Sequence, residues 1–168
     1  GSDRKFFGSA LPTETYGVNF GITYKQIDLS VNCYGTLGAK VYNGKKAQRF
    51  TGENIEESLA TNFWTVNNTT ASNPAPFNLV PAASTYYVES GDFFRINNIT
   101  LGYKTTLKGE FLNSCRIYVN AINPFITQKF SGFSPELNGN GDPYGTQGIE
   151  LDAYPTLRSF VIGANLKF

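Results

Sequence analysis

The chain has 168 residues, enough for one domain of ordinary size, and a formal net charge of +1 from 14 basic and 13 acidic residues. With basic and acidic residues nearly equal in number, nothing in the sequence builds a stripe of positive charge, which argues against a nucleic-acid-binding protein. The sequence contains no histidine, no cysteine cluster and no run of about 18 apolar residues, which excludes a His-based catalytic triad, a typical zinc site and a transmembrane helix.

The first regular pattern is an alternation of apolar with small or polar residues over residues 15–24. Because side chains of a strand point alternately to two faces, the segment predicts a strand with one apolar face. That face carries Tyr16, Val18, Phe20, Ile22 and Tyr24, with an aromatic ring at each end.

Residues 27–36 repeat the pattern after the tight Lys25-Gln26 connection, so the two segments predict a hairpin. Each segment is about ten residues long, the length that a tilted strand needs to cross a bilayer. The second strand places Ile27, Leu29, Val31 and Cys33 on its apolar face and Asp28, Ser30, Asn32 and Tyr34 on the other.

Residues 37–91 show no comparable alternating strand and are interpreted as a long loop. A short helix is predicted within it from Glu53 to Phe63, because Ile55, Leu59 and Phe63 are spaced at four. The Asn-, Thr- and Pro-rich stretch that follows is unusually long for a compact soluble domain but ordinary for the outside of a bacterial barrel.

Three further strands are predicted, over residues 92–104, 114–122 and 156–168, with a turn from Leu107 to Asn113 and a second long loop over 123–155. In the third strand the alternation aligns Phe93, Arg95 and Asn97 with Ile99, Leu101 and Tyr103. In the fourth, Cys115, Ile117, Val119 and Ala121 oppose Arg116, Tyr118 and Asn120. In the last, one face holds Phe160, Ile162, Ala164, Leu166 and Phe168.

The connections between these strands run short, long, fairly short and long, which is the arrangement of periplasmic turns and extracellular loops in outer-membrane barrels. About five strands cannot close a barrel, for which eight is roughly the minimum, and an open ribbon would expose two edges. The predicted fold is therefore all-β: about five C-terminal antiparallel strands of a large transmembrane β-barrel, with long extracellular loops at about 37–91 and 123–155.

The segment Gly91 to Tyr103, GDFFRINNITLGY, resembles a signature of the SusC/RagA-type TonB-dependent outer-membrane transporters of Bacteroidetes. Other pieces follow in the family's order over nearly the whole chain. They are Asp3-Arg4 with Gly8 and Pro12, Tyr16-Gly17, Tyr24-Lys25 with Ile27 to Ser30, Phe63-Trp64-Thr65, Arg116 to Val119, Gly132 to Glu136, and Tyr154-Pro155 with Arg158-Ser159-Phe160 and Phe168. A departure is Pro124, where the family more often has leucine.

The resemblance implies that residues 1–168 form the C-terminal part of such a barrel, without the plug domain and earlier strands. It implies an outer-membrane importer of oligosaccharides or peptides, and not an enzyme. The implied partners are the remainder of the barrel and its plug, a SusD-like surface lipoprotein, the TonB complex through the missing N-terminal part, and the lipid bilayer.

Candidate site residues lie on the predicted loops and on the lumen-facing side of the strands. Aromatic faces stack on sugars or anchor a protein partner, which makes loop aromatics candidates for substrate or partner binding, although packing between loops is the alternative role. These loop candidates are Trp64, Phe130, Phe133 and Tyr144. The lumen-facing candidates, which would line the substrate path or pack against the plug, are Asn32, Tyr34, Arg116, Tyr118 and Asn120.

No cofactor and no metal is expected; calcium at Asp142, Glu150 and Asp152 in the extracellular loops is the one alternative, against the interpretation of these residues as solvated loop charges. Two other interpretations of the whole chain stay open: a soluble β-sandwich that binds carbohydrate, and a structural outer-membrane protein without cargo. If residues 1–168 alone were soluble and monodisperse without detergent, the sandwich would be favoured. A plug domain encoded upstream would favour the transporter over the structural protein.

Overall fold

A computed structural model describes residues 4–48, 57–75, 84–107, 111–136, 148–151 and 154–168, with the side chains of residues 48, 58 and 59 left out. The strands are β1 (Glu14–Tyr24), β2 (Ile27–Leu37), β3 (Lys40–Asn43), β4 (Val88–Ser90), β5 (Phe93–Thr106), β6 (Ser114–Gln128), β7 (Ile149–Glu150) and β8 (Ser159–Lys167). The helices are α1 (Gly44–Gln48) and α2 (Glu57–Thr61), with a 3-10 turn at Thr85–Tyr87. Among the described residues no helix is long and apolar enough to cross a membrane.

The five long strands form one antiparallel sheet in the order β1-β2-β5-β6-β8. Within the described part of the chain, β1 and β8 each pair on one side only, so the sheet is open at both edges. We call the end with the Lys25-Gln26 turn the turn end and the opposite end the loop end. The predicted strands and their all-β, antiparallel arrangement are confirmed.

One face of this sheet is apolar and is not covered by any described part of the chain. Cross-strand register brings Phe20 beside Val31, Val31 beside Ile99 and Leu101 beside Val119. These side chains remain accessible: Phe20 is 53% exposed, Leu101 51% and Ile162 77%. The row is therefore not the interior of a sandwich, whose two inner faces would bury each other.

Aromatic rings stand near the loop end of the apolar face. The Tyr16 ring lies across Gly35 and stacks on Phe94, with ring centres 6.5 Å apart and an angle of 8° between the planes. A Cβ at Gly35 would come within 2.6 Å of the Tyr16 ring, so glycine is required for this ring to lie flat.

A β-bulge at Asn97 changes which side chains share a face in β5. Register shifts there against both neighbours, because Cys33 pairs with Ile96 while Asn32 pairs with Asn98. The predicted alignment of Phe93, Arg95 and Asn97 with Ile99, Leu101 and Tyr103 is therefore wrong. Arg95 instead pairs with Tyr34 on the polar face, since the extra residue of a bulge reverses the alternation beyond it.

Strand β6 is six residues longer than predicted and continues to Gln128, so the second long loop begins later than residue 123. Asn123 has a positive φ of 51°, and neither Asn123 nor Pro124 has a partner residue in β5. Pro124 is tolerated because a residue in a bulge need not donate to the ladder.

The predicted loops contain a second, smaller sheet at the loop end, with the strand order β4-β3-β7. Neither its strands nor α1 were predicted, and they lie within the segments interpreted as loops. The predicted helix from Glu53 to Phe63 is described only as α2, because residues 53–56 lie outside the described part of the chain. Most of the buried apolar side chains lie at this end, among them Val41, Tyr87, Phe93 and Phe130.

Candidate functional site: the polar face and the clamp at the loop end

The polar face of the five-stranded sheet is the side opposite the apolar row. Directly paired residues in neighbouring strands point to the same side, so the register defines its members. They include Asn19, Asp28, Asn32, Tyr34, Arg95, Asn98, Thr100, Arg116, Tyr118 and Asn120.

Near the turn end, Arg116 reaches across β5 to form a forked ion pair with Asp28 of β2. Its Nε lies 2.8 Å from Asp28 Oδ1 and its Nη2 lies 2.5 Å from Oδ2. The residue beneath this crossing is Gly102, and a Cβ there would come within 2.5 Å of both side chains. The pair lies flat on the wall because Gly102 has no side chain.

Tyr118 is the second side chain that lies flat on the polar face. Its ring covers Gly163 of β8, where a Cβ would collide with the ring. The Arg116 guanidinium lies 5.1 Å from the centre of the same ring, a cation–π contact. The two glycines therefore keep the largest polar side chains near the turn end close to the wall.

At the loop end, Arg95 ties two later segments to the sheet. It forms an ion pair with Glu136, and its Nη2 lies 3.4 Å from Ser134 Oγ and 3.3 Å from Thr156 Oγ1. The Tyr34 hydroxyl donates to the other oxygen of Glu136. We call this group, Tyr34, Arg95, Ser134, Glu136 and Thr156, the clamp.

The clamp is largely shielded from water. The Arg95 side chain is 5% exposed and that of Glu136 is 24% exposed. Arg95 Nε is buried and has no hydrogen-bond partner among the described residues. Since burying a cation is costly unless it is paired, the negative charge of Glu136 is what offsets the cost of burying Arg95.

A second connection joins the same loop to the small sheet. Both oxygens of Glu89 accept hydrogen bonds from Ser131, at 2.7 Å from its backbone N–H and 2.8 Å from its hydroxyl. Asn43 Nδ2 donates to Ser131 and Glu89, while its Oδ1 accepts from the Lys46 N–H at 2.8 Å and so caps α1.

A third connection centres on Asp92, in the tight link between β4 and β5. Its carboxylate accepts from the Gly38 N–H at 2.7 Å and from Lys129 Nζ at 3.3 Å. Burial alone would raise the pKa of Asp92, but the Gly38 N–H, Ser90 and Lys129 outweigh burial, and the pKa is lowered. Together the three connections hold residues 129–136 firmly against the sheet.

A cavity of about 360 Å³ opens beside the clamp. The Tyr34 and Glu136 side chains border it, together with apolar groups of the 10–12 segment, β3 and Phe93. It is the size of a small-ligand site and is mostly apolar with a few polar groups.

The lumen-facing candidates all lie on the polar face, but their contacts differ. Tyr34 belongs to the clamp, Arg116 is paired with Asp28, and Asn120 Oδ1 accepts from Thr100. Asn32 has no side-chain hydrogen bond to any described residue. Sequence reasoning missed Arg95 and Glu136, because the bulge was not recognised and Glu136 lay in a segment interpreted as a loop.

No ring contact joins the three loop aromatic candidates that the structure describes, Trp64, Phe130 and Phe133. Phe130 is 3% exposed, which fits the packing role more closely than contact with a ligand. Trp64 and Phe133 are both accessible, and Lys45 Nζ lies 4.2 Å from the centre of the Phe133 ring. Tyr144 lies outside the described residues.

The acidic cluster considered for calcium is only partly described. Glu150 is 1% exposed, whereas residues 142 and 152 lie outside the described part of the chain. Among the described residues no three His, Cys, Asp or Glu side chains group as metal ligands. A calcium site in these loops stays an untested prediction.

No protein-family model matches the chain. TonB-dependent receptor P3 of Formosa agariphila is 27% identical over 174 residues, which cover 99% of this chain and 17% of the relative. TonB-dependent receptor SusC of Bacteroides thetaiotaomicron is 36% identical over 92 residues, covering 51% of this chain and 8% of the relative. The chain thus spans less than a fifth of the length of these relatives.

The fold matches solved structures of the RagAB peptide importer. In its closed-closed state one chain superposes with a TM-score of 0.79 at 22% identity, covering 98% of this chain and 18% of that chain. In the open-open state the TM-score is 0.76 at 23% identity, covering 96% of this chain and 18% of that chain.

The relatives are receptors rather than enzymes, in agreement with the lack of a catalytic constellation in the sequence. TonB-dependent receptors of this kind are proteins of the outer membrane. Along 99% of its length the chain is similar to a TonB-dependent receptor, and its two-faced antiparallel sheet has the fold of part of the RagAB importer, so the chain resembles a segment of an outer-membrane TonB-dependent receptor of the SusC/RagA type.

Proposed function

We propose that this segment forms one section of the wall of an outer-membrane importer, with its apolar face toward lipid and its polar face toward the lumen. The observation that carries the proposal is the five-stranded sheet itself. One face is apolar and uncovered, the other carries ion pairs and amides, and both edges are open within the described part of the chain. A lipid-facing wall has this distribution, since its lumen side meets water or polypeptide.

The proposed cargo is peptides or oligosaccharides, with energy supplied through TonB and with a SusD-like lipoprotein as the surface partner. The similarity to a chain of the RagAB peptide importer supports peptides. Oligosaccharides are the other cargo class that the resemblance to SusC/RagA-type transporters implies, and one relative is the receptor SusC. The loop end of the sheet, with the small sheet and residues 129–136, would then lie on the outside of the cell, where such a partner binds.

Uptake by the complete receptor tests the import function. A strain lacking the gene should lose accumulation of either a labelled peptide pool or a labelled oligosaccharide pool, and the intact gene should restore it. A protonophore should abolish the same uptake, because TonB-dependent transport draws on the proton gradient. Unchanged uptake of both pools would refute import and would favour a structural protein without cargo.

Copurification tests the partner. An affinity tag on the complete receptor should retain a surface lipoprotein in stoichiometric amount after mild detergent extraction. A receptor that purifies alone and still imports would refute the partner while leaving import in place.

A further inference from the structure

The small sheet at the loop end has two faces with different surroundings. In the register of β3 with β4, Val41 pairs with Glu89 and Tyr42 pairs with Val88. Directly paired residues share a side, so the first pair lies on one face and the second pair on the other. The first face is turned toward the five-stranded sheet, since Val41 borders the cavity beside the clamp. The second face therefore points away from the wall, and we call it the far face.

A cleft of about 780 Å³ opens on the far face. Tyr42 and Val88 line it from the small sheet, and the segment that precedes β1 contributes Arg4, Lys5 and Phe7. The cleft is larger than the cavity beside the clamp and lies on the opposite side of the small sheet. The two spaces are therefore separate.

The charges that face this cleft have one sign. Arg4 and Lys5 are the charged residues among its described lining, and neither forms an ion pair with a described residue. A Cβ at Gly8 would lie 3.2 Å from Lys40 Cγ, so a third cation lies along the same N-terminal segment. Glu89, the carboxylate of β4, is on the other face of the small sheet. No carboxylate among the described lining residues therefore compensates the positive charge of the cleft.

This charge favours a negatively charged ligand. A cleft lined by one sign of charge raises the local concentration of oppositely charged ligands. A guanidinium binds a carboxylate through two parallel N–H donors, and the hydroxyl-bearing residues Ser84 and Thr85 also line the cleft. Phe7, which is 46% exposed, and Val88 add apolar surface. Carboxylates combined with apolar side chains are the composition of an acidic peptide, whereas a neutral sugar would gain nothing from the charge.

We propose that the cleft on the far face binds the carboxylates of an acidic peptide and so selects negatively charged cargo at the entrance of the importer. Its position supports this role, because the loop end is the outer end of the wall under the proposed function and the far face points away from the wall. The similarity to a chain of the RagAB peptide importer supports a peptide as the ligand. This proposal rests on the proposed import function and adds the charge of the cargo.

Binding to the purified complete receptor tests the selection. Two labelled peptides of the same length differ only in carrying glutamate or glutamine at the same positions. The glutamate peptide should bind about tenfold more tightly, and the difference should shrink as salt is added, because salt screens exposed charges. The double variant Arg4→Gln with Lys5→Gln should lose this preference. The control, Lys25→Gln with Lys104→Gln, removes the same charge at the turn end and should keep it.

Charge reversal is a second test, and a general loss of binding cannot imitate its result. Arg4→Glu with Lys5→Glu should invert the preference, so that a peptide with lysine at the same positions binds more tightly than the glutamate peptide.

Four outcomes would overturn the proposal. They are equal binding of the glutamate and glutamine peptides, binding of neither, a preference that survives Arg4→Gln with Lys5→Gln, and a uronate oligosaccharide that binds more tightly than the glutamate peptide. Gene-dependent uptake that is the same for both peptides would overturn the selection of charge alone. Unchanged uptake in a strain lacking the gene would instead refute import itself.

Discussion

Removing either partner of the Arg95–Glu136 pair should loosen residues 129–136, and the free-energy cost should differ between the two removals. Glu136→Gln removes the counter-charge and leaves the buried Arg95 guanidinium with neutral acceptors only, namely the Ser134 and Thr156 hydroxyls and the amide oxygen at position 136. Breaking a buried pair in this way costs about 3–5 kcal/mol. We expect a value near the lower end, about 3 kcal/mol, because Glu136 is partly exposed and water can reach this side of the clamp.

Arg95→Met should cost less. It leaves Glu136 with a side chain that is 24% exposed and that still accepts hydrogen bonds from Tyr34 and Ser134. We expect a cost of about 1.5 kcal/mol, since a partly solvated carboxylate that accepts two hydrogen bonds is not left unsatisfied. The double variant should return to within about 1 kcal/mol of the native protein, because replacing both members of a buried pair is often nearly neutral.

Hydrogen exchange of the complete receptor measures the free energy of local opening of residues 129–136. With a factor of ten for each 1.4 kcal/mol, Glu136→Gln should raise exchange on the order of 100-fold and Arg95→Met roughly tenfold. Asp28→Asn, which breaks the ion pair near the turn end, is the control and should leave this segment unchanged. Equal effects of the two single variants, or a larger effect for Arg95→Met, would refute the reasoning about buried charge.

Three further predictions concern other contacts of the same wall. Gly102→Ala should force Asp28 and Arg116 apart, since its Cβ would lie 2.5 Å from both, and should lower the temperature of the heat-induced mobility shift on SDS gels. Because both side chains can swing aside, the cost is that of the partly exposed ion pair, about 0.5–1 kcal/mol, and it should shrink in an Arg116→Ala background. The pKa of Asp92 is lowered in the folded protein, so its contribution to stability is present above about pH 4 and is lost only as the pH falls through the lowered value. Exchange of the Gly38 amide, corrected for the intrinsic rate, should therefore be flat from pH 7 to 5, and in Asp92→Asn it should be faster throughout that range. Asn43→Ala should remove the cap of α1 at a cost of about 1 kcal/mol and should also speed exchange at Ser131, which an effect confined to the cap would not do.

The long strands could be predicted from sequence because each carries an uninterrupted alternation. From Tyr16 to Tyr24 and from Ile27 to Tyr34, apolar residues alternate with polar or small ones. No bulge interrupts the pairing of β1 with β2. In β5 the alternation is broken by one extra residue at Asn97, and the adjacent Asn98 gives no local signal as to which asparagine is the unpaired one. The prediction of faces therefore failed from that point toward the loop end.

The clamp and the small sheet could not be predicted, because they depend on contacts between distant parts of the chain. Strands β3, β4 and β7 have four, three and two residues, which is too few for an alternating pattern to be recognised in the sequence. Arg95 and Glu136 are separated by a strand and a loop, and neither residue has a neighbour in sequence that signals burial of charge. Arg116 was placed on the correct face together with Asp28, but the ion pair between them depends on the space above Gly102.

The bulge at Asn97 constrains how the length of this wall can vary in evolution. Because the pairing with β2 already skips Asn97, deleting that single residue would keep Arg95 on the polar face and Ile96 on the apolar face, whereas a deletion elsewhere in β5 would exchange the two faces beyond it. A sequence alignment that places this gap beyond the loop end of β5, and not at Asn97, would exchange membrane-facing and lumen-facing assignments for every residue of β5 on the loop side. A one-residue change of length is therefore tolerated at Asn97, and homologues that lack this residue should keep a polar or charged residue in place of Arg95.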